Sequence, residues 1–91
     1  MDQALDAYRS AARKGVIQAQ GKLGDLLSDG FSVRPDYVEA FVWLKLASVS
    51  GDRTAKVQLQ SVQRKLSREQ LEEAGRRFKE AEKQIEAQAN P

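Results

Sequence analysis

The stretch that decides the fold runs from Ala40 to Leu59 and reads AFVWLKLASVSGDRTAKVQL. Its first half carries small and large apolar residues at the spacing that keeps them on one face of a helix. They are Ala40, Trp43, Leu44 and Ala47. Gly51 then ends the pattern, and Asp52 is a residue type that caps a following helix. The stretch therefore predicts two consecutive helices separated by a glycine stop.

The same pattern occurs 36 residues earlier in the chain, which indicates an internal repeat. The identical pairs are Ala4 with Ala40, Ala11 with Ala47, Gly15 with Gly51, Ala19 with Ala55 and Leu23 with Leu59. Only small and apolar positions match, and they lie at helical spacing. The chain is therefore predicted to contain two related helix pairs.

The repeat does not continue toward the C-terminus. A further step of 36 residues places Arg76 where Ala40 stands and Lys83 where Ala47 stands. Ser67 and Gln70 instead form an S-x-x-Q capping box. The apolar stripe that follows consists of Leu71, Ala74, Phe78, Ala81 and Ile85. We expect a helix over about residues 68–87 that covers the last repeat, with a coiled-coil strand as the alternative.

These patterns predict an all-α fold, an α/α superhelical repeat or solenoid of two helix pairs plus a C-terminal capping helix. The 91 residues suffice for one small domain over residues 1–91. Its expected parts are a repeat unit at 4–39, a repeat unit at 40–66, the capping helix at 67–88 and a tail at 89–91.

The composition restricts the chemistry that the chain can perform. Cysteine and histidine are both absent. The usual zinc ligands, thiolate nucleophiles and the commonest general base near neutral pH are therefore missing. The nearest approach to a catalytic pair is Asp25 with Asp29 on one helix, and no second acidic cluster opposes them. We expect a protein that is not an enzyme and that needs no metal or other cofactor.

The charge pattern argues against a nucleic-acid or membrane partner. Fifteen basic and thirteen acidic residues are interleaved, and the net charge is only +2. The basic clusters at 64–68 and 76–79 are interpreted as solvated helix surface rather than as phosphate-binding patches. The apolar stretch at 40–49 is too short to cross a bilayer. No signal peptide is recognised, so we expect a soluble chain whose location stays open between the cytoplasm and, after processing, the periplasm or the exterior.

The string Ala40-x-x-Trp43-Leu44-x-x-Ala47-x-x-x-Gly51-x-x-x-Ala55-x-x-x-Leu59 resembles the Sel-one-like repeat, a relative of the tetratricopeptide repeat. Gly30-x-x-Val33-x-x-Asp36 precedes this string, and Leu23-Gly24 matches the leucine-glycine pair of the family. The resemblance spans about residues 4–62. It implies helix pairs that stack into a right-handed superhelix and act as a scaffold for protein complexes.

The chain departs from the family pattern at several positions. Ser32 stands where a second connector glycine is usual, and Gln60 stands where a second leucine-glycine pair is expected. The resemblance therefore bears more strongly on the fold than on the partner.

Repeat arrays bind partners through the surface formed by their successive first helices. Helical geometry and the 36-residue register place six residues on that concave surface, opposite the core stripe. They are Asp6, Arg9, Arg13, Val42, Lys45 and Val49. We expect Arg9, Arg13 and Lys45 to be exposed and to carry little packing, and the two valines to be covered by the capping helix or by a partner. Basic residues around an apolar centre suit a protein or peptide with acidic and apolar side chains.

The sequence thus predicts a protein–protein interaction module, an adaptor or scaffold that binds a peptide or partner protein on the concave face of its first helices. The alternative is a structural fragment or end-cap of a longer repeat array, which stacks on further repeats or self-associates through an uncovered N-terminal face. The second interpretation has weight because such arrays usually need about three units. Trp43 is expected in the core rather than in a ligand site.

Overall fold

The computed structural model describes residues 3–31 and 33–89. This part of the chain contains five α-helices and no strand. The helices are α1 (Gln3–Arg13), α2 (Ile17–Ser28), α3 (Tyr37–Val49), α4 (Arg53–Gln63) and α5 (Arg68–Ala89). The prediction of an all-helical chain with these five segments is confirmed. Ser32, and the predicted tail beyond residue 89, lie outside the described residues.

Three of the helices, α3, α4 and α5, begin at residues whose side chains cap them. Asp36 and Asp52 each accept a hydrogen bond from the backbone N–H three residues later, at 3.0 and 3.1 Å. At α5 the N–H of Ser67 donates to Oε1 of Gln70 at 2.9 Å, and the N–H of Gln70 donates to Oγ of Ser67 at 3.1 Å. These bonds satisfy amides that have no partner within a helix. Local sequence therefore sets where α3, α4 and α5 begin.

The two predicted glycine stops end their helices in the same way. Gly15 has a φ of 93° and Gly51 a φ of 108°, a left-handed conformation that glycine adopts without steric cost. At each stop the N–H after the glycine donates to the carbonyl oxygen five residues earlier, at 3.2 Å after Gly15 and 3.0 Å after Gly51. This is the long bond of the Schellman motif. Positions 36 residues apart thus share both backbone conformation and hydrogen bonding.

The central helix is α3, which packs against α2, α4 and α5. Seven of its 13 residues are buried, and they point in all directions around the helix axis. They are Ala40, Phe41, Val42, Trp43, Leu44, Leu46 and Ala47. A helix that is apolar all round is stable only when other elements enclose it. Helix α3 is accordingly enclosed between α2, α4 and α5.

Gly24 allows α2 and α3 to approach closely. A Cβ atom placed on Gly24 would lie 2.5 Å from Cγ of Leu44 and 3.3 Å from the carbonyl oxygen of Ala40. Leu44 is fully enclosed, with 0% of its surface exposed, so it has little space into which to move. The glycine of the Leu23-Gly24 pair is therefore required by packing.

The stripe of apolar residues predicted on α5 covers another side of α3. Ala74 and Phe78 are buried, and Leu71, Ala81 and Ile85 are partly buried against the same core. From α4, Ala55 and Val62 join this core.

None of the described helices has the length and apolar character needed to span a bilayer.

Two glycine-to-alanine substitutions test the close approach. Gly24→Ala should destabilise the chain by about 1–3 kcal/mol, because the added methyl group overpacks the contact with Leu44. Gly75→Ala, in the middle of α5, should stabilise it by about 0.5–1 kcal/mol, since nothing lies within 4 Å of a Cβ at that position and alanine favours the helix. Urea denaturation of both variants measures the two changes. Stabilisation by both substitutions would contradict the packing role of Gly24.

Candidate partner-binding site

Three side chains form a polar network between α1 and α3. The Arg9 guanidinium donates to both carboxylate oxygens of Glu39, from Nε to Oε2 at 3.0 Å and from Nη2 to Oε1 at 2.9 Å. The indole Nε1 of Trp43 donates to the same Oε2 at 3.0 Å. The side chains of Arg9 and Glu39 are only 26% and 23% exposed. A bidentate pair of this kind is among the stronger polar contacts in proteins, so it joins α1 to the central helix.

The Glu39 carboxylate is stabilised in its charged form. Burial by itself favours the neutral carboxyl, but the hydrogen bonds from Arg9 and Trp43 and the charges of Arg9 and Arg13 outweigh it. Together they hold the pKa of Glu39 below its usual value. The positive charge of Arg9 is consequently compensated within the chain.

The two valines and the lysine of the predicted concave surface have different environments. Val42 is only 5% exposed, whereas Val49 is 63% exposed. The ammonium group of Lys45 lies 4.9 Å from the centre of the Phe78 ring, within the range of a cation–π contact. Val42 is therefore covered by the capping helix α5, one of the two alternatives that the sequence left open, whereas Val49 remains exposed.

The three predicted residues of α1 remain on the surface to different degrees. Asp6 has an exposed side chain that lies 3.9 Å from Arg9. Arg13 is exposed at the C-terminal end of α1. The expectation that such positions carry little packing is wrong for Arg9, since its guanidinium is tied to Glu39.

The six predicted residues do not form one continuous surface, because α5 lies across it. Arg13 lines a depression with Gln84 and Gln88 on one flank of α5. Val49 lines another depression with Glu82 and Glu86 on the opposite flank. The position of α5 thus separates the residues of α1 from the last residue of α3.

The first flank forms a groove between α1, α3 and α5, which we call the α1–α5 groove. Two adjoining depressions of about 270 and 70 Å³ make it up, and they share Trp43, Ala81 and Gln84. Its charged and amide-bearing members are Arg13, Glu39, Arg77, Glu80, Gln84 and Gln88. An open groove with a mixed polar and apolar lining suits an extended segment better than a small molecule, which favours an enclosed apolar pocket.

Several groove residues were not predicted from the sequence. Glu39 and Trp43 lie four positions apart on α3 and therefore share a face. Their contact could have been predicted from this spacing. Glu80, Gln84 and Gln88 carried no such signal, because the internal repeat does not extend to α5 and so does not say which of its flanks faces α1.

The second flank contains an unusual buried amide. Gln20 is only 3% exposed, and its Nε2 donates to the carbonyl oxygen of Ala12 at 3.2 Å. Its Oε1 atom has no hydrogen-bond partner among the described residues. Gln20 lines the depression of about 230 Å³ that also contains Val49. A water molecule or a donor from a bound segment would satisfy this oxygen.

Two arginines of the basic cluster at 76–79, and Asp25 of the acidic pair, are engaged within the chain. Arg76 and Arg77 both pair with Glu73, at 2.7 and 2.8 Å, and these hydrogen bonds hold the pKa of Glu73 below its usual value. Asp25 accepts a hydrogen bond from Gln58 at 2.8 Å. Over residues 3–31 and 33–89, no three acidic side chains lie close enough together to hold a metal ion.

A separate apolar depression lies on the outer side of α1 and α2, and we call it the α1–α2 face. It encloses about 570 Å³. Its lining consists of Ala7, Tyr8, Ala11, Val16, Gln18, Ala19 and Lys22. Val16 is 42% exposed there, so this apolar surface is open to a partner.

The pKa of Glu39 predicts how stability depends on pH. Because this pKa is lowered by folding, its contribution is complete above the unfolded-state value of about 4.3 and is lost as the pH falls through the lower folded-state value. In thermal melts from about pH 7 to pH 3, wild type should therefore have a higher melting temperature than Glu39→Gln near neutrality. The difference in melting temperature should disappear as the pH falls. Glu72→Gln, at an exposed site on α5, is the control and should differ little from wild type at any pH. A pH-independent gap for Glu39→Gln would contradict the ionised pair.

Trp43 contributes to stability through both its volume and its N–H group. Trp43→Ala should lower the free energy of unfolding by about 3–5 kcal/mol, the usual range for a buried large aromatic residue. Trp43→Phe preserves much of the ring but removes the donor to Glu39, so we expect a smaller loss of about 1–3 kcal/mol. Urea denaturation followed by circular dichroism measures both changes. Losses below about 1 kcal/mol for the alanine variant would argue against a core role.

Comparisons of the chain with protein-family models, with curated proteins and with solved structures found no match. The resemblance to the Sel-one-like repeat therefore rests on the residues quoted above.

Proposed function

We propose that this chain is a protein–protein interaction module of the Sel-one-like repeat type, an adaptor or scaffold rather than an enzyme. Its proposed binding surface is the concave side of the first helices, where the α1–α5 groove remains open. Of the predicted α1 residues, Arg13 lines this groove, while Arg9 is paired with Glu39 and Asp6 lies beside Arg9. Val42 and Lys45 lie where α5 packs on α3, and Val49 lies on the opposite flank of α5.

The repeat architecture of the proposal is supported by two features, of which the first recurs in the 36-residue register. Gly15 and Gly51 share the same positive φ and the same backbone hydrogen bonds. The glycine of the Leu23-Gly24 pair serves the close approach between the second helix of one unit and the first helix of the next. Both features are what stacked helix pairs require.

The observation that carries the binding function is the composition of the α1–α5 groove. Exposed Arg13 stands beside an apolar floor of Trp43 and Ala81, with the amides of Gln84 and Gln88 along its edge. A guanidinium binds a carboxylate, and side-chain amides bind the backbone of an extended segment. The absence of histidine and cysteine from the sequence leaves few residues for catalysis. An acidic and apolar peptide fits this surface best.

A second candidate function is favoured by the α1–α2 face. Its open apolar lining is the kind of surface through which an end unit stacks on further repeats or on another copy. In this interpretation the chain acts as a structural end-cap of a longer assembly.

Charge reversal at Arg13 tests the first function. Peptides selected from a display library against the immobilised chain should be acidic and apolar, and their affinity should fall as the salt concentration rises. Arg13→Glu should slow their association, since it turns an attractive charge at the groove into a repulsive one. Surface plasmon resonance measures the association rate.

Arg68→Glu is the matched control, because Arg68 is an exposed arginine at the start of α5, away from the groove. A negative charge also suits the first turn of a helix, so this variant should fold and bind like wild type. Equal slowing by both variants would mean that net charge, not the groove, governs binding. Retention of the wild-type rate by Arg13→Glu would place the peptide elsewhere.

A further inference from the structure

The α1–α2 face has a covered counterpart within the same chain. Four of its lining residues, Val16, Gln18, Ala19 and Lys22, lie 36 positions before Asp52, Thr54, Ala55 and Gln58. The later four line the contact between α4 and α2. Helix α2 of the first unit therefore covers a surface of the second unit, and the equivalent surface of the first unit is open.

The exposure of equivalent residues agrees with this correspondence. Ala47 and Leu44 on α3 have 0% of their surface exposed. Their equivalents on α1, Ala11 and Tyr8, are only partly buried. The first unit thus presents the same kind of surface without the helix that would cover it.

Three contacts show how α2 fits its surface. Gly24 lies against Leu44, where a Cβ would approach Cγ to 2.5 Å. Gly21 lies against Asp52, where a Cβ would approach Oδ2 to 2.9 Å. The third contact is polar, since Nε2 of Gln58 donates to Oδ1 of Asp25 at 2.8 Å. The covering helix therefore needs two glycines three positions apart, and an acceptor directly after the second.

The open face changes each contact in a defined way. Tyr8 replaces Leu44 and is larger, so the covering residue opposite it must again be glycine. Val16 replaces Asp52 with a side chain of similar size, so a small residue is again needed there. Lys22 replaces Gln58 and brings a positive charge, which favours an acidic residue over a neutral acceptor.

We propose that the α1–α2 face binds a helix of a second polypeptide that carries a small residue, a glycine three positions later and an acidic residue immediately after that glycine. This inference deepens the second candidate function and rests on it. The two small residues let the helix lie against Tyr8 and Val16, and the acidic side chain pairs with Lys22.

An identical copy of the chain does not supply such a helix at its other end. In the 36-residue register, α4 has Val57, Gln60 and Ser61 where α2 has Gly21, Gly24 and Asp25. The side chains of Val57 and Gln60 would prevent the close approach, and Ser61 provides no charge for Lys22. A second copy of this chain therefore does not fit the face, and the proposed partner is a different polypeptide.

A synthetic peptide that reproduces residues 16–29 of this chain is the probe, because it contains Gly21, Gly24 and Asp25 in the required order. The isotopically labelled chain is titrated with this peptide and followed by backbone amide NMR. We expect saturable shifts at the α1–α2 face, above all at Ala7, Ala11 and Lys22, with α4 and the α1–α5 groove unchanged.

Two variant peptides and two protein variants make the test specific. A peptide with Gly24→Leu is a better helix former but cannot approach Tyr8, so we expect its affinity to fall at least about tenfold. A peptide with Asp25→Lys should bind more weakly to wild type and regain affinity with the Lys22→Glu chain. Lys56→Glu, at an exposed lysine on α4, is the matched control and should not restore that affinity.

The other outcomes overturn the proposal. They are an absence of saturable shifts, shifts confined to the α1–α5 groove, and tighter binding by the Gly24→Leu peptide. Concentration-dependent shifts of the α1–α2 face without peptide would show that a second copy is the occupant; the second candidate function would then survive while the proposed partner fails. An absence of shifts at the α1–α2 face in both experiments would contradict the second candidate function as well.

Discussion

The burial of α3 on several sides at once is the constraint on which the rest of the structure depends. This helix has no polar face, so it is stable only when α2, α4 and α5 together exclude water from it. Each neighbouring helix packs against α3 through a different feature. Helix α2 approaches through Gly24, α4 follows directly after the glycine stop at Gly51, and α5 contributes its apolar stripe. The capping helix is therefore part of the core.

Helix α1 is connected to the centre differently, partly through a polar network. The Arg9 guanidinium holds the Glu39 carboxylate, which also accepts the indole N–H of Trp43. A half-buried carboxylate is tolerated because these donors compensate the loss of water. Arg9, one of the basic residues of the predicted surface, is therefore paired within the chain. Arg13, one turn further along α1, is exposed and lines the α1–α5 groove.

The two candidate surfaces differ in chemical character, and this difference decides what each suits. The α1–α5 groove mixes charges, amides and a strip of apolar floor, which favours an extended segment held by hydrogen bonds and ion pairs. The α1–α2 face is mainly alanine, valine and tyrosine, which favours a closely packed helix. Its covered counterpart between α2 and α4 supplies a template for that helix, including the positions of the small residues.

The sequence by itself determined the helices, their caps and their stops, because these depend on residues within a few positions of one another. It also determined that Trp43 lies in the core and that the valines of α3 need to be covered, because helical spacing and the repeat register indicate which residues share a face. Only the tertiary structure decided where α5 lies on α3. That placement depends on how side chains of distant segments fit together, and the repeat register does not extend to α5. The sequence left open whether α5 or a partner covers Val42, and the structure shows that α5 does. Glu80, Gln84 and Gln88 are groove residues that had no signal in the sequence.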